Sequence, residues 1–302
     1  MAAPPSVTFH PAPRQTVSNL VFGMVWAGAM VVVLDVWLHL GGGIASPDLA
    51  GLFDATSEDG LGSWLSVTQT VLIALTLWGL AAVVRQSGAS RARSVGWAAL
   101  AVLFTYLAFD DGTRLHERVG SAFGASAASE TGLGGAFPSY YWQLLFGPAF
   151  AAAGLFMAVF LWRELRQPRL RRLVAGALAL LAVAVGLDFV DGLGAGHPLD
   201  VYGQLGTRPN IEAAAAAWFG MTGTDAVVHL SRAVEESVEL VAMTLLWSVF
   251  LTHLGSVVGG VHLSWAPEQS VASPSSRMRT PRPDRAPVPP VHGTPARPAE
   301  VA

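Results

Sequence analysis

Acidic and histidine residues recur inside the long apolar stretches of this 302-residue sequence, at spacings that place them on shared helix faces. Asp35 and His39 are four residues apart, as are Glu235 and Glu239, and side chains at this spacing are neighbours on an α-helix. Imidazole and carboxylate together suit iron, manganese or zinc. We therefore predict a divalent metal site with these candidate ligands: Asp35, His39, Asp110, Asp111, His116, Glu117, Asp188, Glu235, Glu236 and Glu239.

Two further spacings extend this pattern. Asp110, Arg114 and Glu117 share one face if the helix continues through Gly112. On the last apolar stretch, a second face carries His229, Arg232 and Glu236. The arginines at these positions have a plain structural alternative, which is to pair with the neighbouring carboxylates.

The composition is that of a membrane protein. Hydrophobic residues make up 52% of the chain and charged residues only 13%, against roughly 25% charged in average soluble domains. There is no cysteine, which excludes disulfides, thiolate metal sites, iron–sulfur clusters and cysteine nucleophiles. The sequence also contains no phosphate-binding loop and no nucleic-acid signature, so we expect no nucleic-acid partner.

The apolar residues fall into blocks of the length that an α-helix needs to cross a hydrocarbon core about 30 Å thick. We predict an all-α fold, a polytopic membrane helix bundle of about six transmembrane helices. The predicted spans are Leu20 to Leu40, Leu65 to Val84, Val95 to Asp111, Tyr140 to Trp162, Leu173 to Val190 and Val228 to Leu254. In the long loop before the last span, Ile211 to Met221 predicts a short interfacial helix.

Charge orients the bundle. With the N-terminus assigned to one side, 14 of the 18 arginines fall on that side, and arginine-rich loops are cytoplasmic by the positive-inside rule. We expect a multi-pass protein of the cell membrane with both termini in the cytoplasm. Its predicted parts are a disordered N-terminus (residues 1–18), the six-helix domain (residues 19–264) and a disordered tail rich in proline and arginine (residues 265–302).

Depth along each span places the ionisable residues in one layer near the extracytoplasmic face. Asp35, Asp110 and Asp188 lie about three quarters of the way across their helices, and the last helix carries its glutamates in its first half. A carboxylate exposed to lipid costs several kcal/mol, so these groups must face the bundle interior or a wet cavity. Converged carboxylates repel one another, and protons, arginine or a metal must compensate.

Two motifs carry a resemblance. The sequence F-D-D-G-T-R-L-H-E-R, residues 109–118, and the sequence E-E-S-V-E-L, residues 235–240, resemble motifs of uncharacterised bacterial multi-pass membrane proteins. Those proteins carry an acidic pair followed by His-Glu at the end of a middle helix, and a Glu-rich start to the last helix. The resemblance implies that the layer is one unit, and it implies no activity.

Three functions follow from these observations. The first is a metal-dependent membrane enzyme, an oxidoreductase or a hydrolase, that acts on a lipid-soluble substrate from the bilayer. The second is a proton- or cation-coupled transporter, because intramembrane carboxylates commonly mark ion paths. The third is a non-catalytic membrane partner subunit, in which the carboxylates would be structural. Metal content, uptake and folding of carboxylate variants discriminate among them.

Overall fold

The computed structural model describes residues 6–9, 14–42, 46–57, 59–130, 141–193, 197–258 and 261–264. Within them, six helices are long and apolar enough to cross a membrane. In chain order the helices are α1 (Arg14–Leu34), α2 (Pro47–Gly51), α3 (Leu61–Gln86), α4 (Arg91–Thr113), α5 (Leu115–Glu130), α6 (Tyr141–Glu164), α7 (Pro168–Asp191), α8 (Val201–Gly206), α9 (Pro209–Phe219) and α10 (Gly223–Val257). The long ones are α1, α3, α4, α6, α7 and α10.

The predicted all-α bundle with six long apolar helices is therefore confirmed, and the short helix predicted near residues 211–221 is α9, while its interfacial position stays a prediction. Helix ends differ from the prediction because hydropathy does not detect polar first turns. The last helix begins at Gly223 rather than at Val228. Its start is capped by Thr222, whose hydroxyl accepts a hydrogen bond from the amide of Asp225. Pro168 occupies the first turn of α7, where its missing N–H has no cost.

The first long helix changes its winding before it ends. After Leu34 the chain continues as a π-helix from Asp35 to Leu40, closed by a hydrogen bond from Gly41 N to Val36 O at 3.0 Å. Such wider turns are rare and are frequent at functional sites. This π-helical turn carries both Asp35 and His39.

Dense apolar packing occupies the arginine-rich end of the bundle. Trp97 of α4 packs edge-to-face against Phe160 of α6 and Phe250 of α10, and Phe104 packs in the same way on Phe250. Leu77 of α3 joins them with no exposed surface. In a bilayer, tight packing holds helices together because lipid is as apolar as the side chains. The opposite end of the bundle holds the acidic residues.

The fourth helix breaks where one continuous face was expected. The helix runs through Gly112 to Thr113, and Arg114 then adopts a left-handed conformation with φ 57°. The helix thus continues through Gly112, but because it breaks at Arg114, Asp110, Arg114 and Glu117 do not lie along one helix face as predicted. Arg114 and Glu117 instead form a local ion pair of 3.0 Å at the start of α5.

The chain ends are described only in part. Two short strands, β1 (Ser6–Phe9) and β2 (Val261–Ser264), form a two-stranded sheet. The chain divides into two units, residues 8–261 and residues 1–7 with 262–302. The predicted tail, residues 265–302, lies outside the described residues, as does most of the predicted N-terminal segment before Arg14.

Candidate metal centre

Four side chains that could hold a metal converge where α1 meets α10. They are Asp35 and His39 from the π-helical turn, Asp54 from the loop before α3, and His229 from α10. One ligand atom from each lies within 4.8 Å of all the others. Within the described part of the chain, no other group of three or more His, Asp or Glu residues meets this criterion. We call these four residues the metal group.

Asp35 and His229 are the buried pair of the metal group. The Asp35 carboxylate is fully buried, and His229 Nε2 lies 3.0 and 3.2 Å from its two oxygens. A buried charge requires a partner, because desolvation costs several kcal/mol. In this arrangement the imidazole N–H donates to both carboxylate oxygens.

His39 is held in one tautomer by the backbone. Its Nδ1 lies 3.3 Å from the carbonyl oxygen of Ala50, and a carbonyl can only accept, so Nδ1 donates the hydrogen. In the neutral ring Nε2 then carries the lone pair, and it lies 3.7 Å from Asp54 Oδ2. The His39 ring also stacks on the His229 ring, with centroids 5.5 Å apart and planes 6° from parallel. Metal-binding histidines characteristically have this second-nitrogen bond.

Asp54 is positioned by its own loop. The amide and the hydroxyl of Thr56 both donate to Asp54 Oδ1, at 2.8 and 2.7 Å. Aspartate side chains commonly accept such a bond from the backbone amide two residues later, which closes a local turn. One carboxylate oxygen is thereby occupied, and Oδ2 is directed at His39. The backbone of Gly60 packs closely against the same loop. A Cβ at this position would lie only 2.8 Å from the Asp54 carbonyl oxygen.

The donor set fits a divalent transition metal. Tetrahedral zinc bonds of about 2.0–2.2 Å place neighbouring ligand atoms about 3.3–3.6 Å apart. The observed separations of 3.0 Å for His229 with Asp35 and 3.7 Å for His39 with Asp54 bracket that range. Two imidazoles with two carboxylates also suit iron or manganese. The side chains of His39 and Asp54 are 27% and 20% exposed, so the group is reachable from one side.

Three predicted ligands lie at the break between α4 and α5. His116 donates its backbone N–H to Asp110 Oδ1 at 3.0 Å, and its Nδ1 lies 2.8 Å from Asp110 Oδ2. Asp110 thereby satisfies a free amide at the start of α5 and orients the imidazole. Glu117 lies beside them, 4.0 Å from His116 Nε2, and bonds Arg114.

The other five predicted ligands form a second group, which we call the acidic cluster: Asp111, Asp188, Glu235, Glu236 and Glu239. Glu239 interacts electrostatically with Asp111 of α4 and Asp188 of α7. Glu236 interacts with Asp111 and Glu235, and Glu235 with Asp188. The cluster therefore gathers carboxylates from three long helices at the same end of the bundle as the metal group.

Neutral donors satisfy part of the acidic cluster. Ser66 of α3 donates to Asp111 at 3.0 Å, and Gln143 of α6 donates to Asp188 at 2.7 Å. Gln69 of α3 is buried and ties that helix to α10 by donating to Thr244 at 2.6 Å.

Arg232 lies between the metal group and the acidic cluster. Its guanidinium bonds Asp191 at 2.8 and 3.1 Å and interacts electrostatically with both His229 and Glu235. One arginine therefore influences both groups.

A short helix outside the spans closes over this end of the bundle. Tyr202 of α8 accepts a hydrogen bond of 2.5 Å from the Ser231 hydroxyl of α10. Burial raises the pKa of the Tyr202 phenol, and the neighbouring Asp191 and Glu235 raise it further, while the Ser231 bond opposes them. The phenol is therefore protonated throughout the physiological range.

The structure thus distributes the ten predicted ligands over two neighbouring groups. Asp35 and His39 belong to the metal group, and the other eight lie in or beside the acidic cluster. Asp54 and His229 complete the metal group and were not among the predicted ligands. His229 had a sequence signal, since it lies on a polar face of the last helix, whereas the only signal at Asp54 is the Asp-x-Thr turn.

Comparison with known proteins finds no match among curated proteins and none among solved structures. One family matches, described as a domain of unknown function (DUF8692), and it covers residues 24–254. The match includes the whole metal group, the acidic cluster and both motifs of the resemblance, residues 109–118 and 235–240. It runs from the first long helix to near the end of the last, and on that coverage the chain belongs to the DUF8692 family.

Proposed function

We propose that this protein is a metal-dependent enzyme of the cell membrane that acts on a lipid-soluble substrate at the extracytoplasmic end of its bundle. The metal is iron, zinc or manganese, held by Asp35, His39, Asp54 and His229. When bound, it would supply Lewis acidity for hydrolysis or redox chemistry. The protein's own contribution is to fix the ligands and to admit the substrate from one side.

The observation that carries this proposal is the orientation of His39. Its Nδ1 is committed to the Ala50 carbonyl, its Nε2 lies 3.7 Å from Asp54 Oδ2, and its ring stacks on that of His229. A histidine that only packs has no need of a fixed tautomer with the free nitrogen directed at a carboxylate. Such preorganisation is characteristic of metal ligands.

The surroundings favour a substrate from the bilayer. Asp35, His39 and His229 lie within two helices that are long and apolar enough to span a membrane, Asp54 lies in the loop beside them, and the partial exposure of the group is at the acidic ends of these helices. The arginine distribution supports a cytoplasmic location for both termini, which puts the group near the outer leaflet.

Metal analysis tests the proposal. Detergent-purified protein, before and after reconstitution with iron(II), zinc or manganese(II), should carry a stoichiometric amount of one metal. His39→Gln and His229→Gln should each lose it. His197→Gln is the matched control, because His197 lies in the loop before α8, where its Nδ1 accepts a bond from the Leu199 amide.

Three results would overturn the proposal. The first is wild-type protein that holds no stoichiometric iron, zinc or manganese after reconstitution. The second is a metal that persists in both His39→Gln and His229→Gln while the variants remain folded. A folded His197→Gln control that loses the metal would equally contradict the assignment.

The acidic cluster favours a second candidate, a proton- or cation-coupled transporter. Carboxylates from α4, α7 and α10 meet inside the spans, where ionisable groups commonly mark ion paths. The dense packing around Trp97 and Phe250 at the other end argues against an open path. Uptake by proteoliposomes that Glu239→Gln abolishes would support this candidate, whereas wild-type proteoliposomes without uptake of protons or cations would eliminate it.

A further inference from the structure

The helices α1 and α7 both pack against α10, and the gap between them is an apolar groove of about 500 Å³. Its walls include Val32 and Val36 of the first helix, Leu180 of α7 and Val234 of α10. Ser237 contributes the only hydroxyl of the lining, and that hydroxyl already donates to the Ala233 carbonyl at 2.6 Å. The α1–α7–α10 groove therefore offers nothing to a polar ligand.

The groove lies directly below the metal group. Val32 precedes Asp35 by three residues, and Ala233 follows His229 by four, so both are one helical turn from a ligand on the same face. Val32 and Ala233 each lie on the side of the metal ligand that faces the arginine-rich end of the bundle. A molecule lying in the groove would therefore have its upper end at the level of Asp35 and His229, next to the metal group.

The length of the groove matches one leaflet. Its lining on α10 extends from Leu230 to Val241, and at 1.5 Å per residue this is about 16 Å. Half of a hydrocarbon core about 30 Å thick is about 15 Å. The groove thus has the reach of a lipid chain that begins at the level of the metal group.

The groove is narrow. A volume of about 500 Å³ spread over about 16 Å gives a mean cross-section of roughly 30 Å². A single extended hydrocarbon chain fits this cross-section.

We propose that the α1–α7–α10 groove binds one linear hydrocarbon chain of a lipid, with the lipid's polar head at the metal group. This inference rests on the proposed function for the role of the head group, and it identifies the substrate class as a lipid with at least one extended chain. Because the groove itself is apolar, chain binding does not require the metal.

A photoreactive fatty acid tests the groove. Palmitic acid carrying a diazirine at mid-chain is incorporated into nanodiscs with the purified protein, irradiated, and the labelled residues are mapped by mass spectrometry. Label should concentrate on the groove faces of the first helix, α7 and α10. Val234→Trp, which fills the groove from α10, should lose most of this label, and so should Leu180→Trp from the opposite wall.

Val185→Trp is the matched control, because Val185 of α7 is 52% exposed, Val234 is 54% exposed, and Val185 lies outside the groove lining. It should keep the wild-type labelling. Label spread evenly over all lipid-facing helices of the wild type would overturn the proposal. So would groove label unchanged in both filling variants, or a crosslink from the groove to a second copy of the chain.

The metal and the chain are separable in this experiment. If His229→Gln has lost its metal but its groove residues are still labelled, the result supports the hydrocarbon-chain site independently of the metal. A wild-type protein that holds its metal but shows no groove label overturns the chain site and leaves the proposed function standing.

Discussion

His229 Nε2 lies 3.0 Å from Asp35 Oδ2, and this contact joins positions 194 residues apart in the chain. It links the first long helix to the last through two ionisable groups, one of them fully buried. The first helix is otherwise largely open to its surroundings, with only 6% of its most apolar window buried. The metal group is therefore also a tie between α1 and the rest of the bundle.

Metal removal should loosen that tie. Ligand binding to the folded state stabilises it by about 2.7 kcal/mol at a hundredfold excess over the dissociation constant. We expect chelation to lower the Tm of detergent-purified wild-type protein, and re-addition of the metal to restore it. Asp35→Asn should show no such response. A Tm that is the same with and without chelator, in metal-loaded wild type, would contradict this role.

Asp54 should be required for metal affinity. Asparagine preserves the shape of the side chain and its bonds to Thr56 but removes the charge that compensates the cation. We expect Asp54→Asn to weaken metal binding by more than about tenfold, measured by competition with a chelating dye. Asp48→Asn, an exposed change in the preceding helix α2, is the control and should bind as wild type. Equal affinities of the two variants would remove Asp54 from the metal group.

Gly60 should be irreplaceable because of space. Its φ of −89° is open to any residue, but a Cβ there would lie 2.8 Å from the Asp54 carbonyl oxygen and 3.1 Å from that of Ser57. Gly60→Ala must displace the loop backbone, at a cost of about 1–3 kcal/mol, and should weaken metal binding with it. Gly51→Ala is the control. A Cβ at Gly51 meets nothing within 4 Å, so this change should neither displace the loop nor weaken metal binding. Wild-type stability and affinity in Gly60→Ala would show that the loop is not so constrained.

Glu164 should stabilise the arginine-rich end without affecting the metal. It accepts from Arg93 and lies 3.9 Å from His253 Nε2, and that histidine stacks on Trp97 at 5.1 Å. Glu164→Gln leaves the partly exposed Arg93 without its carboxylate, which should cost up to about 1 kcal/mol and lower the Tm. A double-mutant cycle with Arg93→Gln should give a coupling energy of at least about 0.5 kcal/mol. Metal content should be unchanged, and a loss of metal would show that the two ends are coupled.

The orientation can be read from single cysteines, because the chain has none of its own. Asp59 and Gln86 are exposed and flank opposite ends of α3. We expect Asp59→Cys to react with a membrane-impermeant maleimide on intact cells, and Gln86→Cys to react only after permeabilisation. The reverse pattern would place the metal group on the cytoplasmic side.

The sequence alone determined the bundle. Long apolar blocks predict spans because each backbone polar group in hydrocarbon must bond within its own helix, and that requirement is local. The arginine distribution sets the expected orientation for an equally local reason. The pairing of Asp35 with His39 could also be predicted from the sequence, because two residues four apart on a helix share a face independently of the tertiary structure.

Only the tertiary structure decided how the ionisable residues divide. His229 reaches Asp35 because α10 packs against α1, and Asp54 reaches His39 because a loop folds back under Gly60, and neither contact has a local signature. The helix break at Arg114 could not be predicted from the sequence either, since a left-handed conformation at a non-glycine residue is set by its surroundings. Depth along a span predicted one layer of ten ligands, but rotation of each helix about its axis separates the metal group from the acidic cluster. Sequence spacing within a helix gives faces, and only packing between helices determines which faces meet.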